Sequence, residues 1–177
     1  MEELLFEQEQ LDDIAAVQQV IQEAFAGLEH SDQKEHLLVA RLRKSPTFIP
    51  ALSLVARLGT RVIGYALLTP VQIGLEEEQK GSLALAPLAI TPVYQGKKIG
   101  TYLLQAAHRK ALELGYQRVV VLGSPNYYQR IGYKMASAYG IQIPFDKTGA
   151  YSLVLEIVPN ALEGVQGTVI YPSAFYA

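Results

Sequence analysis

A segment near the middle of the chain combines the residue types that bind an anion. It reads LAITPVYQGKKIGTYLLQAA, from Leu88 to Ala107. An apolar run ends in a Thr-Pro turn, a short loop of glycine and lysine follows, and a helical pattern begins directly after it. The first N–H groups of a helix lack partners within it, and its dipole adds partial positive charge there. With Lys97 and Lys98 alongside, the order of residues predicts a phosphate-binding loop.

Two common phosphate-binding motifs do not match this loop. A nucleotide P-loop needs a glycine upstream of Gly-Lys and a Ser or Thr directly after it, and Gly96-Lys97 has neither. A dinucleotide fingerprint needs three spaced glycines near the first strand of a domain, whereas here only Gly96 and Gly100 are available in mid-chain. A nucleotide-binding enzyme is therefore the weaker alternative.

The elements around the loop predict an α+β domain. Helical spacing and capping residues predict one helix from Ile14 to Phe25 and a second capped by Ser31. Alternation and turn residues predict further elements: strands at 52–57, 62–71, 83–90, 118–122, 151–158 and 168–171, a return to strand at Gly132-Tyr133, and helices at 99–114 and 126–131. A helix between two strands is a βαβ unit, and the whole pattern predicts a mixed sheet.

Pro87 is unusual within the apolar run Leu83–Ile90, which otherwise has the pattern of a strand buried on both faces. Proline has no N–H group to donate to a neighbouring strand. We therefore expect either a bulge or the loss of the neighbouring strand at this point.

Composition excludes several classes of protein. The 177 residues fit a single domain, and a formal charge of −2 gives no support for nonspecific binding to nucleic acid. The chain has no cysteine, and its three histidines show no metal-ligand spacing, so we expect no metal site. We expect His108 to be exposed. No segment has the pattern of a signal peptide or a membrane span, which predicts a cytoplasmic protein without a membrane partner.

Two motifs resemble signatures of the GCN5-related N-acetyltransferases (GNAT). Gln95-Gly-Lys-Lys-Ile-Gly100 is similar to the acetyl-coenzyme A loop of that family. Asn126-Tyr-Tyr-Gln-Arg-Ile-Gly-Tyr133 is similar to its second signature, in which a Tyr precedes Gly-Phe or Gly-Tyr by four residues. Together they extend the resemblance over residues 83–133. The tail GTVIYPSAF from Gly167 is less specifically similar to a bacterial subgroup of predicted N-acetyltransferases.

The resemblance implies a mixed, mainly antiparallel central sheet with flanking helices, in which two parallel strands splay apart around the cofactor. It implies one N-acetyltransferase domain over residues 1–177, with acetyl-CoA as cosubstrate and a small-molecule or peptide amine as acceptor. Tyr128 falls at the position of the family's general acid. The residues implied to bind the cofactor are Leu88, Ala89 and Ile90 through their backbone, Gln95, Gly96, Lys97, Lys98, Ile99, Gly100 and Thr101 around the pyrophosphate, and Ser124 and Asn126 beside the pantetheine arm.

Four points stay open in the sequence. Lys98 replaces a glycine of the family loop, and we expect it to adopt the helical region and still present its N–H. The run 83–90 contains no acid to serve as general base, and Glu76, Glu77 and Glu78 upstream are better explained as a solvated acidic loop. A noncatalytic acyl-CoA-binding or sensing module is the alternative function. A homodimer is compatible with the chain, but nothing in the sequence fixes the oligomeric state.

Overall fold

The computed structural model describes residues 1–75 and 81–176. The helices are α1 (Ile14–Phe25), α2 (Glu35–Arg43), α3 (Ile99–Glu113) and α4 (Pro125–Ile131). The strands are β1 (Leu4–Gln8), β2 (Ser53–Leu58), β3 (Arg61–Ile73), β4 (Ser82–Ile90), β5 (Arg118–Leu122), β6 (Lys134–Met135), β7 (Ile141–Gln142), β8 (Ser152–Glu156) and β9 (Gly167–Ile170).

Contacts between Cα atoms divide the chain into two compact units. The first unit consists of Met1–Leu68, Pro87–Lys110 and Ala174–Ala177, and the second consists of Thr69–Ala86 and Ala111–Ser173. Strands β3 and β4 and helix α3 each contribute residues to both units.

In the first unit, an antiparallel sheet packs against an amphipathic helix. β1 pairs with β2 and β2 with β3, and a turn at Gly59-Thr60 joins the latter pair. Val17, Val20 and Ile21 share one face of α1 because their spacing follows the helical repeat. They form a buried cluster with Val39 and Leu42 of α2 and with the sheet residues Val55, Tyr65, Leu67 and Ala89. Burying one such aliphatic side chain contributes about 1.5–3 kcal/mol.

A buried polar network fastens the end of α2 to this sheet. The Arg43 Nε and the Ser53 hydroxyl each donate to Glu9 Oε1 at 3.0 Å. The Ser53 and Tyr65 hydroxyls lie 2.7 Å apart. Burial, with a smaller effect of Glu9, raises the pKa of Tyr65. The ion pair between Arg43 and Glu9 is largely buried, so removal of one partner would leave an uncompensated charge.

In the second unit, parallel and antiparallel pairs are combined. β4 runs parallel to β5, and β8 pairs antiparallel with both β5 and β6. β9 runs parallel to β7 and antiparallel to the end of β3. The pairs are mostly antiparallel, so the prediction of a mixed, mainly antiparallel sheet is confirmed, and the parallel pair β4–β5 with α3 between its strands in the chain forms the predicted βαβ unit.

The pairing of β4 agrees with the expectation for Pro87. The ladder with β5 matches Ser82 to Arg118 at one end and Leu85 to Val121 at the other. It therefore stops two residues before Pro87, which has no N–H to continue it.

Several details differ from the sequence prediction: β7 was not predicted, and the strand expected at Gly132-Tyr133 begins at Lys134. Strand β1 was not predicted, because Leu4 and Phe6 alternate with exposed residues over only five positions. Ser31 does not cap α2, which begins at Glu35; its hydroxyl instead bonds the Glu35 carboxylate and accepts from the Gln33 N–H. His108 is not exposed as expected: it is half-buried on α3, and burial lowers its pKa to about 4.

Candidate active site

The predicted phosphate-binding loop lies in the first unit, between β4 and α3. The chain leaves β4 at Ile90, makes a short 3-10 turn at Pro92–Tyr94, and enters α3 at Ile99. Gln95 closes this loop, because its side-chain amide donates to the Ile90 carbonyl at 2.9 Å and its backbone N–H donates to Pro92 at 3.1 Å. Gln95 thus holds the loop to the end of the strand.

The loop depends on two left-handed residues. Gly96 has a φ of +77° and Lys98 a φ of +65°. The expectation that Lys98 adopts the helical region is wrong: it keeps the conformation that favours glycine, which costs a residue with a side chain roughly 1–2 kcal/mol. The Lys98 carbonyl accepts from the Tyr102 N–H at 3.1 Å, so the left-handed residue stands directly before the first turn of α3.

Positive charge gathers around this turn. Lys97 and Lys98 are exposed, and the Lys97 ammonium lies 5.6 Å from the centre of the Tyr94 ring. The Arg61 guanidinium, which is paired with the Glu2 carboxylate at 2.9 Å, lies 5.8 Å from the same ring. Sequence reasoning missed Arg61, because it opens a distant strand and reaches the loop only through the fold. The first-turn residues Ile99, Gly100 and Thr101 add backbone N–H groups at the same end of α3. This donor set fits a pyrophosphate.

The end of β4 is anchored on one side by β3. The Thr91 N–H donates to the Ile63 carbonyl at 2.9 Å. Gly64 leaves room for close packing, because an added Cβ would lie 2.7 Å from Ile90 Cδ1 and 3.3 Å from the Ala89 oxygen. Ala89 and Ile90 are buried and Leu88 is half-buried. The hydrogen-bond ladder between β4 and β5 ends before these residues.

Tyr128 lies in the second unit, on the first turns of α4. Its side chain is 8% exposed, and burial is the main cause that raises its pKa. Its ring meets Tyr127 and Tyr133 edge to face, with centroids 5.0 Å and 5.3 Å away. Ser124 and Asn126, at the start of the same helix, are exposed.

The Tyr128 hydroxyl has no hydrogen-bond partner among the described residues. Within the same part of the chain, every side-chain nitrogen or oxygen that is closed off from solvent has a partner. The Tyr128 oxygen is therefore not among the closed-off, unsatisfied atoms of these residues, although its ring is buried. Such a hydroxyl is protonated at neutral pH and available to donate.

The predicted site residues thus fall into two sets. Residues 88–90 and 95–101 lie together in the first unit, and Ser124, Asn126 and Tyr128 lie together in the second. Glu76, Glu77 and Glu78 lie outside the described residues. Within residues 1–75 and 81–176, no group of three His, Asp or Glu side chains could hold a metal ion, and no helix is long and apolar enough to cross a membrane.

Comparison with known proteins defines the class. Residues 14–133 match the acetyltransferase (GNAT) family, and the match takes in residues of both units. The chain therefore belongs to the GNAT family and is an acetyl-CoA-dependent N-acetyltransferase.

Individual relatives agree with this class. The chain is 32% identical over 115 residues to the uncharacterized N-acetyltransferase YhbS of Escherichia coli strain K12, covering 65% of this chain and 68% of the relative. The crystal structure of E. coli YhbS in complex with CoA matches with a TM-score of 0.89 and 28% identity, covering 100% of this chain and 94% of that one. A GNAT acetyltransferase of Brucella melitensis in complex with acetyl-CoA matches with a TM-score of 0.80 and 30% identity, over 99% of both chains.

Proposed function

We propose that this chain moves the acetyl group of acetyl-CoA directly to a primary amine, with Tyr128 as general acid for the departing thiolate. The amine nitrogen attacks the thioester carbonyl carbon, the new C–N bond forms, and the C–S bond breaks with its electron pair on sulfur. The nitrogen loses its extra proton to solvent, and the Tyr128 hydroxyl gives its proton to that sulfur and regains one from solvent. The observation that supports this proposal is a hydroxyl on a buried ring that has no hydrogen-bond partner among residues 1–75 and 81–176.

Burial suits Tyr128 to this role. A general acid must be protonated before it acts, and a raised pKa keeps the phenol neutral at the pH at which an enzyme works. Because no described residue accepts its proton, the hydroxyl need not break a protein hydrogen bond to donate to sulfur.

We also propose that the loop residues Gln95–Thr101 hold the pyrophosphate of acetyl-CoA. The first-turn N–H groups of α3 and the charges of Lys97 and Lys98 would meet its negative charge. The backbone of Leu88, Ala89 and Ile90 would bond the pantetheine arm as an added strand does, because the ladder with β5 has ended there. Ser124 and Asn126, both exposed, would add polar contacts to the arm.

The acceptor must lose a proton before it attacks. An alkylammonium has a pKa near ~10.4, so only a small fraction is nucleophilic at neutral pH. We therefore expect kcat/KM for the amine to rise between pH 7 and pH 9, while Tyr128 stays protonated over that range.

Release of CoA from acetyl-CoA tests the proposal. The purified chain would be mixed with acetyl-CoA and a panel containing a polyamine, an aminoglycoside, a free amino acid and a lysine-containing peptide. A thiol reagent reports CoA without background, because the chain has no cysteine. We expect turnover on at least one amine. Tight binding of acetyl-CoA with no turnover on any of them would instead favour an acyl-CoA sensor.

A further inference from the structure

We propose that Gly123 is a positioning residue that fixes the Tyr128 hydroxyl for proton donation, an inference that rests on the proposed role of Tyr128. Gly123 follows the last residue of β5 and lies two residues before α4. Its N–H donates to the Tyr151 carbonyl at 3.0 Å, so its own backbone is held in place.

Gly123 is needed at this position for the space that it leaves. A Cβ built on it would lie 2.3 Å from Cε2 and 2.9 Å from Cδ2 of Tyr128, closer than real Cβ atoms approach other atoms. Its φ is not in the left-handed region, so an alanine would suit its backbone conformation. The Tyr128 ring therefore occupies the volume that any side chain at position 123 would fill.

Two other rings limit the movement of Tyr128. Tyr127 and Tyr133 meet it at interplanar angles of 82° and 71°. Gly132, with a φ of +109°, ends α4, and the Tyr133 N–H then donates to the Tyr128 carbonyl at 3.1 Å. A ring pushed away from Gly123 would have to disturb at least one of these contacts.

Packing, not hydrogen bonding, thus fixes the proposed acid. No described residue bonds the Tyr128 hydroxyl, so nothing would pull it back after a displacement of the ring. A catalytic group acts well only within about 0.5 Å of its productive position, and a displacement near 1 Å can cost on the order of a hundredfold in rate. Gly123 would then act on catalysis entirely through Tyr128.

A double-mutant cycle of Gly123→Ala and Tyr128→Phe tests this dependence. Turnover would be measured with the amine of the panel that the unmodified chain acetylates fastest. We expect Gly123→Ala to lower kcat by roughly 10- to 100-fold, with the KM for acetyl-CoA nearly unchanged. In the Tyr128→Phe background the same change should alter kcat less than about twofold, because the hydroxyl is already gone.

The outcomes separate the two proposals. Full turnover of Tyr128→Phe would overturn the general acid itself. An impaired Tyr128→Phe with an unaffected Gly123→Ala, or an equal loss from Gly123→Ala in both backgrounds, would overturn only the positioning role. Gly149→Ala is the matched control in the same unit. A Cβ added at Gly149 meets no atom within 4 Å, and Gly149 has a left-handed φ of +75°. We therefore expect Gly149→Ala to lower Tm and to leave kcat unchanged.

A second readout needs no acceptor amine. Calorimetry at pH 9 would compare the affinity for CoA with that for desulfo-CoA, which lacks the sulfur. We expect the preference for CoA to weaken in Gly123→Ala and Tyr128→Phe alike, with desulfo-CoA binding unchanged. An intact preference in Gly123→Ala would contradict the inference.

A further control covers the case in which Gly123→Ala fails to fold. If Gly123→Ala does not fold, as judged by circular dichroism, the double variant Gly123→Ala/Tyr128→Ala should recover the fold because the ring is removed. Failure of the double variant, while Tyr128→Ala alone folds, would show that the alanine clashes with something other than Tyr128 and would overturn the inference.

Discussion

The proposed pyrophosphate loop and the tyrosine cluster around Tyr128 take their shapes by opposite means. The loop at 95–101 is exposed, carries two full charges, and takes its shape from backbone conformation at Gly96 and Lys98. In the cluster around Tyr128, the Tyr128 and Tyr133 rings are buried, and the shape comes from packing of the Tyr128 ring against Tyr127, Tyr133 and Gly123.

The difference follows from the ligand that each region is proposed to meet. A pyrophosphate is large, charged and surrounded by water, so a turn of N–H groups and lysines suffices to bind it. Proton transfer to one sulfur atom requires a hydroxyl at one place, and a buried ring provides that position. Substitutions in the loop should therefore change binding, and those in the cluster should change turnover.

The largest expected effect tests the cluster. Tyr128→Phe keeps the ring and removes only the proton donor, so kcat should fall by roughly ten- to a thousandfold with little change in acetyl-CoA affinity. Steady-state kinetics with Tyr139→Phe, a half-buried tyrosine of the same unit, as control would check it. A large loss of acetyl-CoA affinity in Tyr128→Phe would break the division between the two regions.

The next effect tests the loop through a matched pair of glycines. Gly96 and Gly149 have nearly the same φ, +77° and +75°, and an added Cβ meets no atom within 4 Å at either. Alanine at each should cost about 1 kcal/mol of stability, but only Gly96→Ala should weaken acetyl-CoA binding. Thermal melts and calorimetric titration would measure both quantities, and equal affinity in the two variants would count against the loop as the pyrophosphate site.

The smallest expected effect tests the backbone strain at Lys98. Lys98→Gly should remove the left-handed strain and raise stability by up to about 1 kcal/mol, or roughly 2–4 °C in Tm. It should also weaken acetyl-CoA binding slightly, because one exposed charge is lost. Lys97→Gly removes a charge without relieving such strain, so its Tm should not rise. A fall in Tm for Lys98→Gly would show that the side chain offsets the backbone cost.

Local signals explain how much of the fold could be predicted. The strand at Arg118–Leu122 was predicted at its observed ends, and the helix that starts at Ile99 was predicted to within one residue at its end, because apolar periodicity and bounding glycines specify both. Strand β1 was not predicted, because a short edge strand carries little apolar alternation. The start of α2 was misplaced, because the Ser31 hydroxyl bonds the Glu35 side chain in the preceding turn.

The sequence by itself determined the family, the candidate anion-binding loop and the tyrosine to examine, because each depends on residues close together in the chain. Only the tertiary structure revealed the left-handed Lys98, the Arg61 guanidinium beside Tyr94, and the contact of Gly123 with the Tyr128 ring. Left-handed backbone conformation, contacts between a cation and a ring, and excluded volume depend on how the folded segments pack. Residue spacing in the sequence alone does not predict them.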